Sequence, residues 1–269
     1  MRPLRLLLLL ALALPAPARA QLRPLAPLDP TVFEAGVAGA ASLGGAWLAD
    51  QRAALAGVRG TLLEVGILSA TVRTGRAALT LEATALRLFD DDLVFRAPSG
   101  GSRAPNGERR RDAGDVRLST AVRLLGDPEA LVGVRFGTRL PTTDNAVGLE
   151  RDLTDFFALL FGAARRGPWR ASAELGVGVH GVRVSDFEQV DVLLYAAALE
   201  RTAAVAPTLR VLGHYDGLRG WTLAGIEDLG EVRAGVRVGR ARWLRVEAVR
   251  GYREFSPSGG VVVSAGARW

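Results

Sequence analysis

The chain has 269 residues with 34 basic and 28 acidic side chains, two histidines and no cysteine. The lack of cysteine excludes disulfides, cysteine-held metal and lipid attachment at an N-terminal cysteine. The formal net charge of +6 is carried by arginine alone, since lysine is absent, and a charge this small gives no case for nucleic-acid binding.

The N-terminus opens Met1-Arg2-Pro3-Leu4-Arg5, runs apolar from Leu6 to Leu14, and continues Ala18-Arg19-Ala20. A charged start, a short apolar run and an A-x-A site read as a secretory signal peptide over 1–20, cleaved to leave Gln21 first. Cleavage removes Arg2, Arg5 and Arg19, which lowers the net charge to +3. The run falls short of the roughly 20 apolar residues that a helix needs to cross a bilayer. No later stretch is long and apolar enough to cross as a helix. Residues 21–30 read as a periplasmic N-terminal segment and 31–269 as one large domain.

The rest of the chain alternates apolar and polar residues with a period of two, which puts the two sets on opposite faces of β-strands. The first strand is assigned to Thr31–Ala41. Leu62–Arg73 and Ala77–Phe89 follow, the latter slipping phase near Leu86 as a bulge would make it. Val116–Leu124 and Leu131–Leu140 alternate cleanly. Asp155–Ala164 is apolar on both faces. Trp169–His180 is the clearest strand, with Trp169, Ala171, Ala173, Leu175, Val177 and Val179 against Arg170, Ser172, Glu174, Gly176, Gly178 and His180. Asp191–Glu200 is again apolar on both faces. Pro207–Asp216, Val232–Gly239, Trp243–Phe255 and Val261–Trp269 complete about twelve strands. The final strand ends the chain on an aromatic.

Connections alternate in length. Short turns fall at Thr74–Arg76, Gly126–Glu129, Arg165–Pro168, Thr202–Ala206 and Arg240–Arg242. Longer ones fall at Gly44–Gly57, Asp90–Asp115, Pro141–Asp152, Gly181–Gln189 and Gly217–Asp228, with Ser256–Gly259 the short exception. The fold expected is therefore all-β, a transmembrane up-and-down antiparallel β-barrel with periplasmic turns and external loops, placed in a Gram-negative outer membrane. Val261–Trp269 should pair with Leu244–Phe255 on one side and with the first strand on the other. Trp169, Trp243 and Trp269 fall at turn-side strand ends and are assigned to a periplasmic aromatic girdle, although Trp243 breaks the lipid-facing parity.

The inward set carries the charge. Arg117, Arg123, Arg135, Arg139, Arg170, Glu174, Arg233, Arg237, Arg245 and Glu247 are the lumen-lining candidates, and Glu64, Glu82 and Arg210 share their parity. Two readings stay open. One is a channel or facilitator for small solutes, apolar or anionic. The other is a closed structural or surface-interaction barrel whose lumen an arginine–glutamate network fills, since a barrel of this size has little interior room. No catalytic, cofactor or metal site is assigned, and the chain is not expected to be an enzyme. Gly176-Val177-Gly178-Val179-His180-Gly181 matches G-x-G-x-x-G but lies inside a strand with no helix after it. His180 and His214 lack ligand spacing, Ser172 and Ser185 lack a distinctive flank, and Asp90-Asp91-Asp92 lacks the spacing of a calcium loop. Arg103, Arg109, Arg110 and Arg111 in the loop Pro98–Gly114 suit lipopolysaccharide phosphates. The expected partners are outer-membrane lipid and lipopolysaccharide, the barrel assembly machinery through the C-terminal strand, and a small solute.

Val134-Arg135-Phe136-Gly137-Thr138-Arg139-Leu140-Pro141-Thr142, then Gly148-Leu149 and Asp152-Leu153-Thr154-Asp155-Phe156-Phe157, resembles the G-x-K-x-P-T … G-L-G … D segment of outer-membrane barrels grouped with the transporter of phenol-degradation pathways (the MetA-pathway type). Gln189–Tyr195 is similar to a run in barrels of the same kind. Arg139 stands where that pattern has lysine, and Glu150 where it has glycine. The resemblance implies a barrel of about twelve strands that moves small, often apolar molecules across the outer membrane.

Overall fold

The computed structural model describes residues 22–95, 97–98, 109–142, 144, 146–150, 153–184, 187–215 and 227–269. Its strands are β1 (Gly39–Ala53), β2 (Val58–Thr74), β3 (Ala77–Val94), β4 (Arg110–Asp112), β5 (Val116–Gly126), β6 (Ala130–Leu140), β7 (Asp155–Arg166), β8 (Trp169–Val184), β9 (Phe187–Arg201), β10 (Val205–Tyr215), β11 (Leu229–Gly239), β12 (Arg242–Gly251) and β13 (Gly259–Arg268). β4 is a short flap paired only with β3. The other twelve follow one another antiparallel, and β13 closes the ring on β1 from Ala40↔Arg268 to Ala49↔Gly259. The chain is a closed twelve-stranded barrel, with β4 as a short extra strand at its rim.

Burial follows the expected period. On β7, Leu159 is 4 % exposed and its neighbour Leu160 is 62 % exposed. Leu175 and Val177 on β8, Phe136 on β6 and Val246 on β12 also face out, while Arg135, Glu174 and Glu247 are buried. An outward belt this apolar is suited to lipid rather than water.

Residues 31–41 do not form the first strand. Asp29 caps a 3-10 turn at Pro30–Phe33, its side chain accepting the Thr31 N–H, with proline at the start. β1 begins at Gly39 instead, and Gly44–Gly57 is not a loop. Gly44 and Gly45 lie within β1, where a register shift separates them. Small residues and this shift blur the alternation by which a strand is recognised. The true β1–β2 turn is confined to 54–57. Val184 and Phe187 pair across the end of the β8–β9 hairpin, so that connection is short as well.

The bulge expected near Leu86 is not at that point of the β2–β3 pairing. Pairing with β2 keeps one register from Gly60 to Thr74, and the shift lies farther on, between Arg59 and Gly60. Gly66, at φ 72°, sits between the Val65↔Leu86 and Ile67↔Thr84 pairs. A left-handed residue there turns the next side chain to the other face without adding a residue, a conformation that glycine adopts most readily.

The turns at 75–76, 127–129, 167–168, 202–204 and 240–241 share one end of the barrel with Gly39 and Trp269. The strand ends at 53/58, 94/116, 140/155, 184/187, 215/229 and 251/259 share the other. Much of the long connections (99–108, 151–152 and 216–226) lies outside the described residues, as do residues 1–21 and Ser185.

Candidate functional site: the occupied lumen

The segment 22–33 runs along the inside of the barrel. Leu22 packs at the loop end with Leu48, Leu62 and Leu149. Leu25 lies against Phe157, Leu159, Val190, Val192 and Leu194 at mid-height. Leu28, Val32 and Phe33 pack with Ala78, Ala121, Leu131 and Phe161 toward the turn end, where Phe33 stacks on Phe161 at 5.8 Å. This explains why β7 and β9 are apolar on both faces: lipid meets one and the segment meets the other. Residues 22–30, expected as a periplasmic segment, lie inside the barrel, where their apolar side chains are withdrawn from water.

Polar contacts tie this strap to the wall. Arg23 donates through Nε and Nη2 to both carboxylate oxygens of Glu231, at 3.0 and 2.9 Å, and through Nη1 to Glu64 at 3.0 Å. It thereby joins β11 to β2 across the lumen. Arg87 continues the chain, donating to Glu64 at 2.8 Å and lying 2.6 Å from Glu150, which also accepts the Leu22 N–H at 3.0 Å. Lower down, Glu174 accepts the Leu28 N–H at 3.1 Å, and Arg135 donates to the Ala26 carbonyl at 2.9 Å. At the turn end Glu34 pairs with Arg170, and Asp29 lies 3.6 Å from Arg268.

The sequence-assigned lumen residues fall as follows. Arg135 is 2 % exposed and lies 3.3 Å from Glu174 and 3.5 Å from Glu82. Arg139 is gripped by Asp115 at 2.7 Å and Asp155 at 2.6 Å. Arg233 pairs with Glu231 at 2.8 Å. Arg237 and Arg245 share Glu200, at 2.8 and 3.1 Å. Glu247 accepts from Thr208 at 3.1 Å and lies 3.3 Å from Arg210. Arg117 and Arg123 are half-buried without an ion pair among the described residues. Sequence reasoning missed Arg23, Asp29, Glu34, Arg87, Glu150, Glu200 and Glu231. The two-faced apolarity of β7 and β9, together with Leu22, Leu25 and Leu28 just ahead of the barrel, was the available signal.

Trp169 and Trp269 face outward at 43 % and 51 % exposure. Trp243 does not belong with them. Its ring lies 4.9 Å from the Arg245 guanidinium and lines the interior, as its parity demands. His180 and His214, on strands either side of β9, come together with ring centroids 5.6 Å apart at right angles. His214 Nε2 meets the Glu227 carbonyl at 2.8 Å. Among the described residues no group of three or more His, Asp or Glu could hold a metal. Gly176 and Gly178 sit within β8. Asp90 and Asp91 accept from Arg109 and Arg110, so those two arginines are already partly neutralised.

At the loop end, burial pushes the Asp112 carboxyl from 3.8 up to about 7, with Glu150 and Asp144 adding to the rise. Between those values the folded chain holds a proton that the unfolded chain has lost, so stability there falls as pH rises from 3.8 to about 7. Asp112→Asn should flatten that dependence. Hydrogen exchange around Ala113, compared at about pH 4 and about pH 8, checks it.

Two adjoining chambers remain beside the strap, of about 180 and 130 Å³. Both are bounded by Ser42, Ser69, Arg210, Trp243 and Arg245.

A closed, even-stranded antiparallel barrel with an apolar outside and a charged inside has the fold of an outer-membrane β-barrel. No family model matches the sequence, and no curated protein matches it. Among solved structures the chain is similar to OmpT, an outer membrane protein of Vibrio cholerae folded in vitro and seen in trimer form. Identity is 10 %, with 86 % of this chain and 98 % of that chain covered, at a TM-score of 0.36. It is also similar to a chain from a study of in-meso crystallization of membrane proteins, at 10 % identity and a TM-score of 0.38, covering 86 % and 83 %.

Proposed function

We propose that the chain is a small-solute channel or facilitator of the bacterial outer membrane whose lumen is held closed by its own residues 22–33. The observation that carries this reading is the Arg23 fork, which bridges Glu64 and Glu231 across the lumen. A fixed polar core would not need an arginine borrowed from a segment outside the wall. The chambers beside the strap give a partial passage lined by serine and arginine. The resemblance of 134–157 to barrels of phenol-degradation pathways agrees with transport, and we keep that grouping as a proposal.

The strap also bears on processing and orientation. Leu22 is buried at the loop end. Cleavage after Ala20 frees the strap to enter from the turn side, which we take as periplasmic, with Trp169 and Trp269 in its aromatic girdle. The closed structural barrel is the second reading. It is favoured by strap contacts that run the whole height of the lumen.

Solute-dependent swelling of proteoliposomes separates the two. The channel reading expects measurable entry of small solutes once the strap is unseated, through a barrel shown to be folded by its heat-modifiable gel mobility. No entry of any solute, with or without the strap seated, would leave the closed barrel standing.

A further inference from the structure

We propose that the inward wall of β10–β12 is a binding site for a small carboxylate or phosphate anion. The site names a solute class for the channel proposed above and rests on that reading only for its part in permeation.

The wall carries more cations than acids to match them. Arg210 on β10, Arg233 and Arg237 on β11, Arg245 on β12 and Arg23 from the strap form one group. The carboxylates that touch them from this wall and β9 are Glu231, Glu247 and Glu200. Glu231 serves both Arg23 and Arg233, and Glu200 serves both Arg237 and Arg245. Glu64 helps Arg23 but is already shared with Arg87. Asp29 is nearest to Arg268.

Arg210 is the least satisfied. Among the described residues its one ion pair is a 3.3 Å contact from Nε to Glu247, an acceptor that Thr208 also uses. Its side chain is only 17 % exposed. A guanidinium so far out of water gains from an acceptor for its remaining N–H groups, and a planar oxyanion fits its fork.

The placement of these groups fits an anion. Arg210 and Arg245 bound both chambers, and Arg117 and Arg233 reach the larger one. The acids along the far side of that chamber are engaged elsewhere: Glu82 by Arg135, Asp115 by Arg139, and Glu64 by Arg23 and Arg87. Glu247 is thus, among the described residues, the one acid paired with Arg210; Asp29 also acts on it but is paired with Arg268. Trp243, Ile67 and Leu68 give the chamber an apolar side, which suits an anion with a short apolar substituent.

The test uses the full-length barrel refolded in detergent. Sodium acetate, inorganic phosphate and neutral acetamide are titrated at constant ionic strength set with chloride, and binding is read by calorimetry. Saturable binding of acetate, phosphate or both is expected, with none for acetamide; which anion binds distinguishes the two sources. Arg210→Gln should weaken binding roughly tenfold, about what one charge-assisted hydrogen bond is worth. Glu247→Gln should strengthen it by removing the competing acceptor. If Arg210→Gln loses its heat-modifiable folded form, Glu247→Gln carries the test. Absence of saturable binding, or affinity that Glu247→Gln leaves unchanged or lowers, overturns the site. Binding without liposome entry would overturn the channel and leave the site standing. Entry without binding would do the reverse.

Discussion

Deleting residues 22–33 should turn a barrel that passes little into an open one, with liposome swelling rates rising well above those of the intact chain. The strap fills the lumen from Leu22 at the loop end to Phe33 at the turn end, so its removal exposes a continuous charged interior. Arg23→Ala is the milder version. Removing one partner of a buried ion pair costs about 3–5 kcal/mol when the other charge is left alone. Here Glu64 keeps Arg87 and Glu231 keeps Arg233, so roughly 2–3 kcal/mol is the better figure for the strap's hold. Each 1.4 kcal/mol is about a factor of ten in a population. The unseated fraction, and the flux with it, should therefore rise about 30–140-fold. Leu25→Ala, which loosens apolar contact only, should raise flux less. Unchanged flux in the deletion would mean that the wall itself is closed.

Arg139→Ala should produce the largest loss of stability among single lumen changes. Arg139 lies between Asp115 and Asp155, and the side chains of all three are within a few per cent of fully buried. Alanine leaves two carboxylates close together in a site closed to water, at a cost of about 3–5 kcal/mol. Denaturant unfolding followed by gel mobility reads this as a lower midpoint. Arg139→Lys should recover only part of it, because an ammonium cannot present a planar fork to two acids. Arg109, paired with Asp90 on the exposed loop side, makes the contrasting case: Arg109→Ala should leave the midpoint unchanged. Equal effects at the two sites would mean that the interior charges are hydrated.

Strands whose small and large residues keep strict alternation were readable without coordinates. β5, β6, β8 and β11 fall where period two puts them, and the β12–β13 pairing follows from chain order. β1 was hidden because glycine, alanine and serine do not distinguish faces, and because a register shift breaks its count at Gly44. The strap was hidden for another reason. Leu22, Leu25, Leu28, Val32 and Phe33 recur in three- and four-residue steps as on a helix face, but Pro24, Pro27 and Pro30 bar a helix, and their partners are scattered over β1, β2, β3, β5, β6, β7 and β9. The partners of the lumen arginines were only partly legible. Parity fixed the inward face of Arg135, Arg139, Arg233 and Arg237, but Glu150 and Asp115 lie in connections, where periodicity says nothing. Trp243 shows that parity is the safer guide: its position near a strand end suggested the girdle, and its count placed it inside.

The native chain has no cysteine, so a single engineered pair can test the strap directly. Arg23→Cys with Glu231→Cys replaces the two residues whose side chains meet tip to tip at 2.9 Å; the gap left by two long side chains is too wide for a direct disulfide, so a short bis-methanethiosulfonate reagent bridges the thiols through reducible bonds. The measurement is conductance of the reconstituted, crosslinked double variant before and after reduction, with the crosslink verified by mass spectrometry. A strap seated in the lumen predicts efficient crosslinking, background conductance while crosslinked, and a rise on reduction. A folded barrel that does not crosslink, and whose conductance is the same in both states, would contradict the closed lumen on which the proposed function stands.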